Sequence, residues 1–555
     1  MNHTEQKKEN DNFLVQGGIL AVASILVRFI GMIYRVPMTN IIGDEGNTCY
    51  SNAYEFYNIL LLLSSYSLPV AISKLVSAKA SLGQWKNIHA IMRSAILFGL
   101  VSGAVFTLLA FFGADWYFTH VTINPTAAIA LRVMSPAIFV MALLGVFRGF
   151  FQGMKSMIPT AVSQILEQVI NAVVSVLAAW LLFGYGAKVD LVKGTDIYAP
   201  AWGAAGGTLG TLAGAFVALL FFLFLYQAYR KYLKRKMRRD KTKTVDSMQT
   251  ITKLIVTTAV PVIISTTAYN VINLLDSSLF SHYMASIGRT DVYQTTWGAY
   301  MGKYMLLINV PVAFASAMSS SLVPSLTEAF VKNNRSMMIR RVNTALRVTM
   351  LIAIPCAVGL TVLANPVIDL LFPGESSDAA IYLTIGSLTV VVFSLSTITN
   401  GILQGINKMK VPVRHSLISL GIHLVLMYFF VWQFNMGIYG VIISYIAFGV
   451  CMCTMNSFSI GKYLNYQQQA SSIYILPAIS ALVMGVVCFF VHKGITILIP
   501  GGIGNLIGVV IAILVGVIVY FVMAVLTKAL NRDTMADLPM GGKMIRIAVK
   551  LHLMK

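Results

Sequence analysis

Arg28 and Arg35 stand seven residues apart in an otherwise apolar stretch. Two helical turns separate them, so both leave one face, about 10.5 Å apart along the axis. Gly31 lies between them on the same stripe and leaves room for something bulky. Two guanidiniums on one face suit a phosphate or pyrophosphate. The plainer alternative is that Arg35, near the helix end, only snorkels to the interface. Asn270, Asn273, Asp276 and Ser277 form a second polar stripe, at i, i+3, i+6 and i+7. Such a stripe faces protein or water. Asp276 can pair with Arg28, bind a cation or take a proton, with a purely structural ion pair as the alternative. Lys303 shares a side with Leu307 and Pro311, and Pro311 is expected to kink its helix. Asn52, Glu55 and Asn58 repeat at a spacing of three, with Glu55 either a substrate contact or an interfacial acid. Arg93, Arg132 and Glu167 complete the set: the two arginines can snorkel, and Glu167 can pair with a base.

These residues stand out because of what surrounds them. The chain is 57% hydrophobic and 11% charged, with a mean hydropathy of +0.76. Apolar stretches near 14–39, 54–80, 90–112, 126–148, 160–184, 202–228, 252–281, 295–325, 342–364, 379–405, 412–432, 437–460, 472–492 and 502–528 each match the ~20 residues that cross a ~30 Å hydrocarbon core. The expected fold is therefore all-α and integral to the membrane, with fourteen spanning helices. An ionised side chain at the bilayer centre costs ~2.5–3.5 kcal/mol, so each one needs a partner or a watery cavity. Most of the 41 Lys and Arg lie in the termini and alternate loops, and only Lys188, Lys193, Arg289 and Lys493 fall in the other loops. By the positive-inside rule both termini are expected in the cytoplasm.

The longest polar interruption, 229–251, carries Arg230, Lys231, Lys234, Arg235, Lys236, Arg238, Arg239, Lys241 and Lys243. It reads as a solvated cytoplasmic linker, with lipid-headgroup contact as the functional alternative. It separates two sets of six helices that resemble each other. Gly149-Phe150-Phe151-Gln152-Gly153 ends the fourth helix and Gly401-Ile402-Leu403-Gln404-Gly405 the tenth, 252 residues apart. The same motif at corresponding helices argues for duplication. The organisation expected is an N-lobe (1–228), the basic linker (229–251), a C-lobe (252–460), and two further helices with a basic tail (461–555). Six helices per repeat insert both copies in one orientation, so a pseudo-twofold axis along the membrane normal and a cavity between the lobes are expected.

Several functions are excluded or disfavoured. The net charge of +21 is mostly a topology signal and a match to anionic lipid headgroups, so no nucleic-acid partner is expected. There is no Walker A loop, HExxH or GxSxG motif, so no catalytic residue, resident metal or cofactor is expected. The five cysteines show neither a CxxC pair nor zinc spacing; four lie in apolar helices, and Cys49 is expected in an external loop. The polar start and the two arginines of the first helix argue for a retained helix rather than a signal peptide. The Gly203, Gly206, Gly207, Gly210 and Gly214 stripe needs no ligand, because close helix packing explains it.

The run from Val27 through Arg28-Phe29-Ile30-Gly31-Met32-Ile33-Tyr34-Arg35-Val36 to Pro37, followed by Ile41-Ile42-Gly43-Asp44-Glu45-Gly46, resembles the N-terminal signature of the stage V sporulation protein B group of polysaccharide exporters. Ser67-Leu68-Pro69-Val70-Ala71-Ile72-Ser73-Lys74-Leu75 and both GxxQG helix ends fit the same group. That group belongs to the multidrug/oligosaccharidyl-lipid/polysaccharide flippase superfamily and is similar to the MurJ lipid II flippases. The resemblance implies two six-helix lobes plus two C-terminal helices, a central cationic cavity and alternating access. It also implies an undecaprenyl-pyrophosphate-linked saccharide as substrate, most directly the peptidoglycan precursor lipid II. Arg28 matches the first-helix arginine of MurJ-type cavities, and Lys303 stands near their eighth-helix arginine. The Arg-Asp pair that MurJ proteins carry near Tyr34-Arg35 is absent. The expected substrate contacts are Arg28, Arg35, Lys303, Glu55 and Arg93, with Asp276, Asn273 and Glu167 as coupling or gate residues. The expected driving force is the membrane potential or a Na+ or H+ gradient. A monomer in the bacterial cell membrane, partnered by its lipid-linked substrate and membrane lipids, completes the reading. The alternatives are an exporter of another lipid-linked polysaccharide unit, a cation-coupled multidrug exporter, and, least favoured by the short loops, a membrane glycosyltransferase.

Overall fold

The computed structural model describes residues 3–242, 244–373, 378–532, 535 and 541–550. Among them there are helices and no strand, as hydrocarbon demands, because a helix satisfies its own backbone where water cannot. In chain order the helices are α1 (His3–Leu61), α2 (Leu68–Ser81), α3 (Trp85–His120), α4 (Ala127–Met134), α5 (Pro136–Gly153), α6 (Ile158–Lys193), α7 (Tyr198–Arg238), α8 (Met248–Ser286) and α9 (Thr290–Ala299). They continue with α10 (Met305–Val331), α11 (Arg335–Val362), α12 (Ala364–Leu371), α13 (Ala379–Gly386), α14 (Leu388–Gly405), α15 (Lys410–Tyr428), α16 (Ile438–Leu464), α17 (Leu476–Leu498) and α18 (Gly502–Leu526). Twelve stretches among the described residues are long and apolar enough to cross a bilayer. The first, Leu26–Ser81, has 56 residues, far more than the ~20 that one crossing needs. Large apolar side chains such as Phe112 (74% exposed) on α3 and Phe224 (76%) on α7 face outward, as a lipid-facing surface requires.

By packing, the chain divides after Gly302 into residues 1–302 and 303–555. In the first unit α1 packs on α6 and α7, α8 packs against α1 and α3, and α9 packs against α1 and α8. Its core gathers Met38, Tyr50 and Tyr57 of α1 with Phe118 and Leu131. The α7 glycine stripe is what lets α7 lie on α6: a methyl group on Gly210 would stand 2.6 Å from the Asn171 carbonyl oxygen. At the α6–α7 turn, Asp190 accepts from the Tyr198 and Ala199 amides at 3.0 and 2.7 Å, placing a carboxylate at the start of α7. In the second unit α10 packs on α14 and α11, and α17 on α18 and α11.

The two GxxQG helix ends correspond in their local backbone. The fourth apolar stretch breaks between α4 and α5 at Ser135, and the tenth breaks between α13 and α14 at Ser387, again 252 residues on. After each GxxQG motif the chain turns through a left-handed residue, Lys155 (φ 61°) and Asn407 (φ 60°). The flanking hydrogen bonds also correspond: Ser156 N to Phe151 O at 2.9 Å, and Lys408 N to Leu403 O at 2.8 Å. Gly153 lies against Val76 of α2, and Gly405 against Leu326 of α10.

Three local expectations are corrected. The second helix does not start near 54; the chain leaves the first helix through one non-helical residue, Gly43 (φ 68°, ψ −178°), and resumes helix at once. Asn47 braces that break, donating to the Gly43 carbonyl at 2.7 Å and accepting from Thr39 at 3.2 Å. Cys49 therefore sits buried in a helix rather than in an external loop, beside Thr126 at 3.3 Å. α7 runs on to Arg238, so most of the basic run is helical. The connector after it is pinned to the α2–α3 turn: the Lys86 amide donates to Asp240 at 2.7 Å, Asn87 accepts from the Asp246 amide at 2.8 Å, and Lys79 pairs with Asp246 at 2.6 Å. Separately, α10 continues through Pro311, and a π-helical turn at Tyr300–Tyr304 lies about two turns before that proline.

Candidate functional site

The arginine face belongs to the first unit. Arg28 is exposed, and beside it on α1 the Gly31 backbone faces the Gln168 amide of α6, with 3.0 Å left for a Cβ. Arg35 is half-buried, its guanidinium 5.3 Å from the Tyr50 ring centre and 5.5 Å from that of Tyr54. Those two rings are stacked at 5.8 Å, so Arg35 meets an aromatic wall as well as whatever lies beside Arg28. Tyr34 fixes this segment, accepting from Asn171 at 3.2 Å, while Ser175 donates to Asn171 and to the Gly207 carbonyl. The two arginines thus have different surroundings, one open and one caged.

The acids form a second cluster in the same unit. Glu55 (7% exposed) and Asp276 (2%) are enclosed and within electrostatic reach of each other. Neither Glu55 oxygen meets a hydrogen-bonding atom in good geometry; Ser277 lies beside it but gives its hydroxyl to the Leu274 carbonyl at 3.2 Å. Above them, Asn52 donates to the Tyr293 hydroxyl at 3.1 Å, and Thr48 donates to the Gln294 carbonyl. Ser278 donates to the Val121 carbonyl at 2.7 Å. These bonds fasten α8 and α9 onto α1 and the turn after α3, and they close over the acids. Asn273 is half-buried on the same helix.

The remaining candidates lie elsewhere. Glu167 pairs with Arg148 at 2.7 Å, and Arg148 also donates to Ser163 at 3.2 Å. Arg148 is the one charged residue of α5, and nothing in its local spacing pointed to Glu167. Arg132 pairs with Asp115 and lies over the Phe111 ring. Arg93 is exposed on α3. Lys303 opens the second unit and is almost wholly enclosed (1% exposed), with its ammonium 5.8 Å from the centre of the Phe372 ring. Among the described residues no group of three or more His, Cys, Asp or Glu is arranged to hold a metal.

A bundle of membrane-crossing helices with enclosed intramembrane charges defines a multi-pass membrane protein of the transporter-like, all-helical class. The chain matches the family described as Polysaccharide biosynthesis protein over residues 14–330, more than half its length, and it belongs to that family. A second family, MatE, matches residues 261–429. Two relatives from Bacillus subtilis (strain 168) are similar. Stage V sporulation protein B is 24% identical over 528 residues, covering 95% of this chain and 98% of the relative. Lipid II flippase MurJ is 26% identical over 420 residues, covering 74% and 75%. Among solved structures, an inward closed lipid II flippase MurJ aligns with a TM-score of 0.60 at 17% identity, over 91% of this chain and 97% of that one. An inward-facing MATE family multidrug transporter aligns with a TM-score of 0.62 at 16% identity, over 80% and 98%. The fold is thus the one shared by MurJ and MATE proteins.

Proposed function

We propose that this protein is a flippase that moves an undecaprenyl-pyrophosphate-linked saccharide, lipid II first among the substrates, from the inner to the outer leaflet by alternating access through a cationic cavity. The observation that supports it is the Arg28–Gly31–Arg35 face on the first helix of a chain that aligns with Stage V sporulation protein B over 95% of its length. The saccharide head is too polar for hydrocarbon, so the cavity must stand in for its hydration. Arg28, exposed and beside a small residue, is the first pyrophosphate contact; Arg35, held over two tyrosines, is the second. Lys303 joins them only when its enclosure opens, and Glu55 and Arg93 contact the sugar head. An anion leaving a negative interior gains ~2.3 kcal/mol per charge per 100 mV, so the potential alone can bias the direction. Asp276, with Asn273, takes the coupling H+ or Na+ and gates the path, while Glu167 acts as a gate partner through Arg148. The reading includes fourteen spanning helices in two lobes plus two, cytoplasmic termini and a monomer.

Lipid II flipping in cells depleted of their own flippase tests this directly. The wild-type chain should restore it, and a normally inserted Arg28→Ala variant should fall at least about tenfold, the effect of one lost contact of ~1.4 kcal/mol. Asp276→Asn should keep binding but lose dependence on potential or ion gradient. No rescue by well-expressed wild type removes lipid II and leaves another lipid-linked polysaccharide unit. The MatE match and the enclosed acids favour one further reading, a cation-coupled multidrug exporter. Gradient-driven efflux of a cationic dye by the purified chain would select it.

A further inference from the structure

The basic end of α7 carries two stripes of cations. Lys231, Arg235 and Arg238 share one face, and Tyr232, Lys236 and Arg239 share the next, both at i, i+4 and i+7. The second stripe meets the α2–α3 turn, where Trp85 packs edge-on against Tyr232 with ring centres 6.0 Å apart. Lys236 is half-buried beside both rings, its ammonium 5.4 Å from the centre of Trp85 and 5.5 Å from that of Tyr232. Here lies a pocket of ≈450 Å³, within the first unit, whose lining includes Leu82, Gln84, Trp85, Lys236, Arg239 and Lys241. Leu82 (69%), Arg239 and Lys241 stand exposed. The nearby acids are already engaged. Asp240 accepts from the Lys86 and Thr242 amides, each at 2.7 Å, and from the Thr242 hydroxyl, while Asp246 pairs with Lys79 at 2.6 Å. Three basic side chains thus line the pocket with one acid, Asp240, whose oxygens are spent.

The helix itself sets the depth of the pocket. Phe224 is 76% exposed, Tyr226, Tyr229 and Tyr232 succeed it, and Lys236 stands about 18 Å beyond Phe224 along the axis. Apolar, then aromatic, then basic is the order from hydrocarbon to headgroups. We propose that this pocket binds the phosphodiester of a bulk anionic glycerophospholipid, of the phosphatidylglycerol kind, drawn from the leaflet beside it. Lys236, Arg239 and Lys241 take the phosphate oxygens, and Leu82 lies along the first methylenes. Gln84, whose side-chain oxygen already accepts from Asn87 at 3.0 Å, offers its amide nitrogen to a glycerol hydroxyl. A polyprenyl phosphate has no headgroup hydroxyl and would leave that donor unused. The site rests on membrane insertion alone and not on the transport reading.

The test is lipid titration of the full-length chain in neutral detergent, read by native mass spectrometry. The probes are phosphatidylglycerol, zwitterionic phosphatidylcholine, undecaprenyl phosphate and inorganic phosphate. Phosphatidylglycerol should bind about tenfold or more tightly than phosphatidylcholine. Each basic side chain near anionic headgroups is worth about fivefold, so R239Q/K241Q should weaken phosphatidylglycerol binding about 25-fold. R235Q/R238Q removes the same charge from the neighbouring stripe and should cost less than about threefold, because only a screened long-range pull is lost. Leu82→Glu sets a carboxylate beside the phosphate and should weaken binding about fivefold. Each of these side chains is exposed, so every variant should unfold at the wild-type temperature. Equal binding of phosphatidylcholine, full displacement by inorganic phosphate, or tighter binding of undecaprenyl phosphate would overturn the proposal. So would an equal loss in R235Q/R238Q, which would make the attraction a diffuse property of the basic run.

Discussion

The two GxxQG helix ends share a backbone but not a chemistry. Immediately before each motif stands Arg148 in the first half and Asn400 in the second, 252 residues apart. Arg148 reaches across to α6 and pairs with Glu167. Asn400 instead accepts from Asn456 of α16 at 2.7 Å, and Asn456 accepts through its amide oxygen from His415 Nδ1 of α15 at 2.7 Å. The first half fastens neighbouring helices with opposite charges, the second with neutral amides and an imidazole. The packing that the glycines demand is alike at the two ends, and the polar fastening is not.

Removing one partner should therefore hurt the first half more. Arg148→Ala strands Glu167 in a poorly hydrated place and should destabilise by about 3 kcal/mol, whereas Asn400→Ala leaves only neutral groups and should cost about 1 kcal/mol. Thermal unfolding in detergent reads both. Arg148→Asn with Glu167→Ser makes the spot neutral and should recover most of the loss; failure to recover would mean that the pair does more than fasten helices. The glycines sharpen the comparison at a smaller scale. A methyl group on Gly149 would lie 2.9 Å from the Pro69 carbonyl oxygen, which cannot move aside, whereas on Gly401 it would meet the Ser319 hydroxyl, which can rotate. Gly149→Ala should cost about 1–3 kcal/mol and Gly401→Ala less than about 1.

The smallest effect concerns the connector that only the first half possesses. The Lys86 amide and the Thr242 hydroxyl hold the Asp240 carboxyl below its ordinary value. A depressed carboxyl stabilises above its unfolded value, near 3.8, and that support is lost as pH falls through the lower folded value. Around neutral pH the clamp should be unaffected by pH, while Asp240→Ala should hasten trypsin cleavage at Arg239 and Lys241. Equal cleavage rates would show that the clamp does not restrain the connector.

Much of this was legible from hydropathy and spacing. The apolar stretches, the repeat at 149 and 401, and the tight α6–α7 stripe all follow from composition along one helix. Residues 44–53 were not, because Asp44, Asn47, Thr48, Ser51 and Asn52 resemble a loop until their partners are known. Thr48 and Asn52 are satisfied by Gln294 and Tyr293, some 240 residues away, and no local pattern encodes that. The acids were legible as individuals and not as neighbours: Glu55 and Asp276 belong to separate stripes, and only folding brings them within reach. Charge type announced Glu167 as a candidate, yet its partner Arg148 lay in plain sight near a helix end.

Gly43 has a mechanical consequence. The first two helices meet at a single residue whose backbone angles suit glycine alone, and Asn47 ties both sides of it. A joint so short has no slack to absorb strain. The helix that carries the two arginines and the helix that carries Glu55 are therefore spaced by one residue alone, with no loop between the basic face and the acids.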